Sequence, residues 1–166
     1  MRNSEGKTRL NDMDIKWDKL RETLNHFADY FIQSARNNLS DNNTNASFDL
    51  YNSFEKIIEI GDDWFSVKIS LEDYWYYVEN GRKAGKFPPL PKIQEWVDIK
   101  PVEQLTFLIS RKIANEGTEP QPFFEPAKQD AIARFELAID LAIAEDIDNY
   151  VLSKVDEYLL KTFKEL

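Results

Sequence analysis

The chain has 166 residues, 42% of them hydrophobic and 13% aromatic, and a formal net charge of -9. That length suits one domain with its own core, and the acidity weighs against a nucleic-acid binder, because duplex binding runs on phosphate neutralisation by basic side chains. The absence of cysteine excludes disulfides, thiolate zinc sites and thiol catalysis and fits a reducing cytoplasm, and no apolar run approaches the ~20 residues that span a bilayer.

The opening stretch, MRNSEGKTRLNDMD, is polar and lacks the apolar region of a signal peptide, so residues 1–13 are expected to be a flexible N-terminus. A helix is predicted over 14–39. Trp17, Leu20, Leu24, Phe27, Phe31, Ala35 and Leu39 recur at three and four residues on one face, and Asp14 is the expected cap. The run NNLSDNNTNAS, 37–47, should break it, because Asn, Ser and Asp side chains bond locally to the backbone. Over 53–70, Phe54, Lys56, Ile58 and Ile60 alternate with Glu55, Ile57 and Glu59; beyond Gly61-Asp62-Asp63, Phe65, Val67 and Ile69 alternate with Ser66, Lys68 and Ser70. Two period-2 runs about a Gly/Asp turn predict a β-hairpin, which must pack on helices or join a neighbour's sheet to be stable.

LEDYWYYVENG, 71–81, reads as a short helix with Tyr74, Tyr77 and Val78 on one face and Gly81 just past its end, a continuing strand being the alternative. Pro88, Pro89 and Pro91 forbid regular structure through the loop that follows, and Pro91 suits the first turn of a helix carrying Trp96. A further helix is expected over 100–117, with Leu105, Leu108, Ile109 and Ile113 as its apolar face and Gly117 as its stop. TEPQPFFEPA, 118–127, is a second proline-punctuated loop. From about Lys128 to Glu165 one helical stripe runs without Gly or Pro, through Ile132, Phe135, Ile139, Ala142, Ile143, Ile147, Tyr150, Val151, Val155, Tyr158 and Leu159. It would exceed ~50 Å if unbroken, so part of it should meet a partner or bend back near Asp146–Asn149. The expected fold is α+β and mostly helical. It has a long N-terminal helix, a β-hairpin or small antiparallel sheet, short helices after proline loops and a long C-terminal helical region. Residues 14–166 form a single α+β domain, with 128–166 as a long helical arm.

Chemistry is sparse. His26 is the one histidine and reads as a surface or core-edge residue. No metalloprotease, P-loop, dinucleotide or nucleophile-elbow motif occurs. The acids Asp62-Asp63 read as a turn, Glu72-Asp73 as a cap, and Glu145-Asp146 with Asp148 as a solvated face rather than a cation site. Tyr74, Trp75, Tyr76 and Tyr77 read as core and subunit-interface aromatics rather than a base-stacking platform. No catalytic, cofactor-binding or metal residue is assigned, and no cofactor is expected. Two other classes remain as alternatives: a cytoplasmic protein-binding adaptor that uses the acidic helix, and a small carboxylate-dependent hydrolase for which Glu72, Asp73 and Glu79 form the cluster of interest.

One ordered set of residues goes further. Tyr74, Val78, Glu79 and Gly81 precede Arg82-Lys83, then Pro88-Pro89, then Ile93, Trp96 and Val97; after Ile109 and Ile113 come Gly117, Thr118, Pro122, Phe123, Phe124, Pro126 and Ala127. This pattern, spanning 74–127, resembles the head–tail joining or tail completion proteins of siphovirus-like tailed phages. The Asn-rich linker and the C-terminal helical region are longer than that pattern. The resemblance implies a structural virion protein at the neck, assembled in the host cytoplasm. It would be a homo-oligomeric ring joining head connector proteins to tail tube proteins, with genomic dsDNA passing through unbound and no membrane involved. The interface expected from it comprises Glu79, Gly81, Arg82, Lys83, Lys86, Pro88, Pro89, Pro122, Phe123 and Phe124, a stiffened loop whose bases meet a neighbour's acidic helix.

Overall fold

A computed structural model describes residues 14–42, 48–61, 64–91, 93–94 and 105–164. The element order is α1 Asp18–Asp41, α2 Asp49–Asn52, β1 Glu55–Ile60, β2 Phe65–Ser70, α3 Trp75–Asn80, α4 Thr106–Glu116 and α5 Phe124–Lys164. The fold is α+β and mostly helical, with β1 and β2 paired antiparallel as the two-stranded sheet of the described residues. Segment 1–13, residues 43–47 of the Asn-rich linker, Asp62-Asp63, Trp96, Val97, residues 100–104 of the helix expected over 100–117, and Glu165 lie outside the described residues.

The chain divides into two compact units. One holds the described residues of Met1–Asp29, Ile57–Lys68 and Ile132–Leu166; the other holds those of Tyr30–Lys56 and Ile69–Ala131. In the first, Ile15, Leu20, Leu24, Ala28 and Ala142 are buried, and the Phe27 and Phe135 rings meet edge-on with centroids 5.9 Å apart. In the second, Phe31, Ile32, Ala35, Leu39, Leu50, Phe54, Ala114, Phe123, Ala127 and Ala131 are buried. Phe31 and Trp75 each lie 4.9 Å from Phe124, ring to ring.

Helix α1 keeps the predicted stripe, with Ala28 and Ile32 broadening it. It ends inside the Asn-rich run, at Asp41. Asn38 donates its side-chain amide to the Phe123 carbonyl at 3.0 Å, and Asn42 donates to that of Pro122 at 3.1 Å. The hairpin closes with the Gly61 N–H donating to the Trp64 carbonyl at 2.8 Å, and Glu59 pairs with Lys68 across the strands. Helix α2 was not foreseen: Phe48 enters it at φ 59°, a left-handed conformation uncommon for a non-glycine residue, and Leu50 anchors it. Leu90, Pro91, Ile93 and Gln94 are helical, with the Ile93 N–H donating to the Pro89 carbonyl, so Pro91 does stand in the first turn of a helix.

Four local expectations are corrected. Asp14 is exposed and four residues short of α1, so it does not cap that helix. Glu72 and Asp73 are exposed, and no side chain caps α3. The inward face of α3 is Trp75, Val78 and Glu79, while Tyr74 and Tyr77 face solvent, because α3 turns its acid toward the start of α5. On α4 the buried residues are Ser110 and Ala114; Leu105 and Leu108 are exposed, since small side chains let this helix approach its neighbours closely. Helix α5 runs 41 residues without the bend, about 60 Å at ~1.5 Å per residue.

Candidate functional site

The two proline loops are built into one rim by four groups of the second unit. Glu79 is the first. It is 9% exposed, and its carboxylate accepts the backbone N–H groups of Phe123 at 2.7 Å, Phe124 at 2.8 Å and Glu125 at 3.1 Å. These are donors that a helix leaves unpaired at its start, and the positive end of the helix dipole favours an anion there. An acid 44 residues upstream therefore caps α5. Phe123, fully buried, is the hinge of this junction and meets the ring of Phe54 edge-on.

Gly81 and Gly117 come next. Both hold positive φ, at 69° and 79°, the region that glycine enters without penalty. Each also lies against the opposite loop, where a Cβ on Gly81 would strike the Thr118 carbonyl and one on Gly117 the Arg82 carbonyl. This closeness lets Arg82 and Thr118 exchange both backbone hydrogen bonds, at 3.0 and 2.8 Å, as an isolated antiparallel bridge. Two further bonds hold the loops, from Gly85 N–H to the Ala114 carbonyl at 2.7 Å and from Gln121 N–H to the Val78 carbonyl at 2.9 Å.

Arg82 is the fourth group. It is half-buried, donates to the Lys86 carbonyl at 3.0 Å and lies over the Tyr77 ring. It shapes its own loop. Lys83, Lys86, Pro89 and Pro122 are exposed, whereas Pro88 is buried and Phe124 half-buried. Phe87 stacks on Phe107 at 6.3 Å with the rings 20° from parallel, and both stay more than half exposed. The rim thus shows two lysines beside an apolar pair. Of the residues anticipated from sequence, Lys83, Lys86, Pro89 and Pro122 face outward. Glu79, Pro88 and Phe123 face inward and hold the rim in place. Phe87 and Phe107 were missed, though Phe87 stands in the loop between Lys86 and Pro88, where an exposed aromatic has no helical or strand face to join.

A second buried carboxylate works the same way in the first unit. Asp146, 3% exposed, accepts the backbone N–H groups of Lys19 at 3.1 Å and Leu20 at 2.9 Å, and so caps α1 in place of Asp14. The expectation of a solvated face for this acid is corrected. The signal was present: Asp146 continues the inward row Ala131, Phe135, Ile139 and Ala142. The same unit carries a shallow groove of about 390 Å³ lined by Leu24, Phe27, Phe65, Val67, Ile132 and Ile139 with Ser66, Glu136 and Asp140.

Four groups in ion pairs at the surface have shifted titrations. The Lys68 hydrogen bond lowers the Glu59 pKa, and the Lys128 hydrogen bond, aided by Gln129, lowers that of Glu125. Lys161 and then Lys154 lower Glu157, while Glu157 raises Lys154. Glu72 and Asp73 are exposed and Glu79 is engaged by amides, so that trio converges on nothing held in common. Among the described residues no group of three or more His, Asp or Glu is placed to hold a metal ion, and no helix is long and apolar enough to cross a membrane. No protein-family model, curated protein or solved structure matches the chain.

Proposed function

We propose that the chain is a structural assembly subunit, a neck or tail-completion protein of a tailed phage, which docks through the rim formed by its two proline loops. The observation that carries the reading is the Arg82–Thr118 bridge. It joins the two halves of the motif from which the resemblance was drawn, with Glu79 of the first half capping the helix that begins in the second. Residues far apart in sequence serve one local purpose, the rigid display of Lys83, Lys86, Phe87 and Phe107. A docking element fixed beforehand loses little conformational entropy on binding. The exposed acids Glu136, Asp140, Glu145 and Asp148 of α5 offer the unlike charge that a head-to-tail contact between copies needs. In this reading the ring sits at the head–tail junction of the virion, between connector and tube, and an acidic surface lets DNA pass without adhering.

The test is to label phage particles with an antibody to the chain and to image the purified protein with isolated heads. Label at the head–tail junction and rings on the connector are expected, and Lys83→Glu/Lys86→Glu should abolish docking while preserving helical content. Label on the capsid or tail tip, or heads that never take up the protein, contradicts the proposal. Arg82 is a poor choice for this test, because its side chain holds the loop.

A further inference from the structure

From Val151 to Phe163, α5 is exposed at every position. Laid out at ~100° per residue, Val151, Leu152, Val155, Tyr158, Leu159 and Phe163 fall within an arc of roughly 140°, which Thr162 completes. Ser153, Lys154, Glu157 and Lys161 fall on the opposite side. Exposure runs from 45% at Leu159 to 71% at Phe163. Single exposed apolar residues are ordinary on a protein surface, but a contiguous stripe marks an interaction site.

We propose that this stripe packs antiparallel against the same stripe of a second copy of the chain. Charge selects the partner. Between 136 and 148 the helix carries Glu136, Asp140, Glu145, Asp146 and Asp148 with no base, whereas from Val151 to Phe163 Asp156 and Glu157 are balanced by Lys154 and Lys161. The arm is the neutral stretch of an acidic helix, where two like-charged copies meet with least repulsion. Its charges are also satisfied within the helix: Glu157 accepts from Lys154 at 3.1 Å and from Lys161 at 2.8 Å. What remains uncovered is apolar, so a strongly basic partner gains no special hold on it.

Area agrees. The six residues expose roughly 600 Å² per copy, so complete cover in a pair would bury at most about 1,200 Å², the lower end of the range for specific interfaces. Charge also selects the orientation. A parallel pair would lay the two acidic stretches side by side, while an antiparallel pair sends them to opposite ends and opposes the helix dipoles. A register centred on Glu157 sets Val151 against Phe163 and Val155 against Leu159 of the other copy. Lys154 and Lys161 lie on the side away from this contact, so no cation faces a cation across it. This pairing goes beyond the neck reading and does not depend on it.

The experiment is the mass of the full chain across rising concentration, read by light scattering. The mass should climb from 19.5 kDa toward that of a pair, and Val155→Glu/Leu159→Glu should weaken association at least tenfold with helical content unchanged. The substituted side chains are solvent-facing in the single chain, so the variant is expected to fold. Should larger assemblies form, the same variant must still reduce their mass. A wild type that stays single throughout, or a variant that associates equally well, overturns the proposal, as does uptake of the wild type by neutral phosphatidylcholine vesicles in place of self-association. The cysteine-free chain allows one spin label per copy to read orientation. Labels at Ser153→Cys and Glu145→Cys should lie ~12 and ~36 Å apart along the axis in an antiparallel pair; equal separations contradict it.

Discussion

The two ends of α5 belong to one continuous helix and stand in opposite circumstances. Its first turns, from Phe124 through Ala131, are capped by Glu79 and packed on Phe31 and Trp75, with Ala127 and Ala131 fully buried. Its last turns, from Val151 through Phe163, carry larger apolar side chains than those alanines and bury none of them. If apolar content alone decided burial, the order would be reversed. The difference separates two circumstances along one helix: the start closes the fold and positions the rim, and the end leaves its apolar side chains exposed, as the proposed pairing requires.

Substitutions at the two ends should break or sharpen that contrast. Phe123→Ala has the largest expected effect, a loss of about 3–5 kcal/mol, because a fully buried ring leaves a cavity at the junction. A shift in the urea midpoint corresponding to less than ~1 kcal/mol would show that the junction does not hold the fold. Glu79→Ala should cost about 3 kcal/mol, since it leaves several amides without their charged acceptor, and Glu79→Gln about 1, since the Gln carbonyl still accepts. Asp146→Ala, with two amides at stake, should cost about 2 kcal/mol. At the other end Tyr158→Ala or Phe163→Ala should change the stability of the dilute subunit by under ~0.5 kcal/mol, although these side chains are as large as Phe123. A loss like that of Phe123→Ala would mean the arm belongs to the core.

The smallest effect is that of pH. Glu157 titrates below the ordinary carboxylate range because Lys161 and Lys154 hold its charge. A group lowered in this way adds stability above its unfolded pKa of ~4.3 and loses it as pH falls through the lower folded value. Lys154 is raised by Glu157, so its share is present below its ordinary pKa and fades as pH climbs through the higher folded value. Backbone chemical shifts of Val151–Phe163 should therefore report slight loosening at both extremes and a plateau between, slight because exposed pairs contribute little. A large loss of helicity near neutral pH would contradict that assignment.

Much of the fold was legible wherever a periodic apolar face met a clear stop. The α1 stripe and its asparagine end, the hairpin about Gly61, the helix closed by Gly81 and the Gly117 stop all have local causes. What escaped reading has causes at long range. Glu79 and Asp146 look like surface acids among many, and their roles appear only when amides 44 and 126 residues away reach them. The face of α4 was misjudged because Ser110 and Ala114 pack through their smallness, which a count of large apolar residues overlooks. For the rim, the outward lysines and prolines could be read from composition, while Phe87 and Phe107 needed a fold in which to find each other.

Residue-resolved hydrogen exchange over a concentration series tests the division of α5 most directly. Amides of Phe123, Phe124 and Glu125 should be protected at every concentration, while those from Val151 to Phe163 exchange fast when dilute and slow as the chain associates. An arm as protected in dilute solution as the junction, or one that stays unprotected at every concentration, would contradict the account.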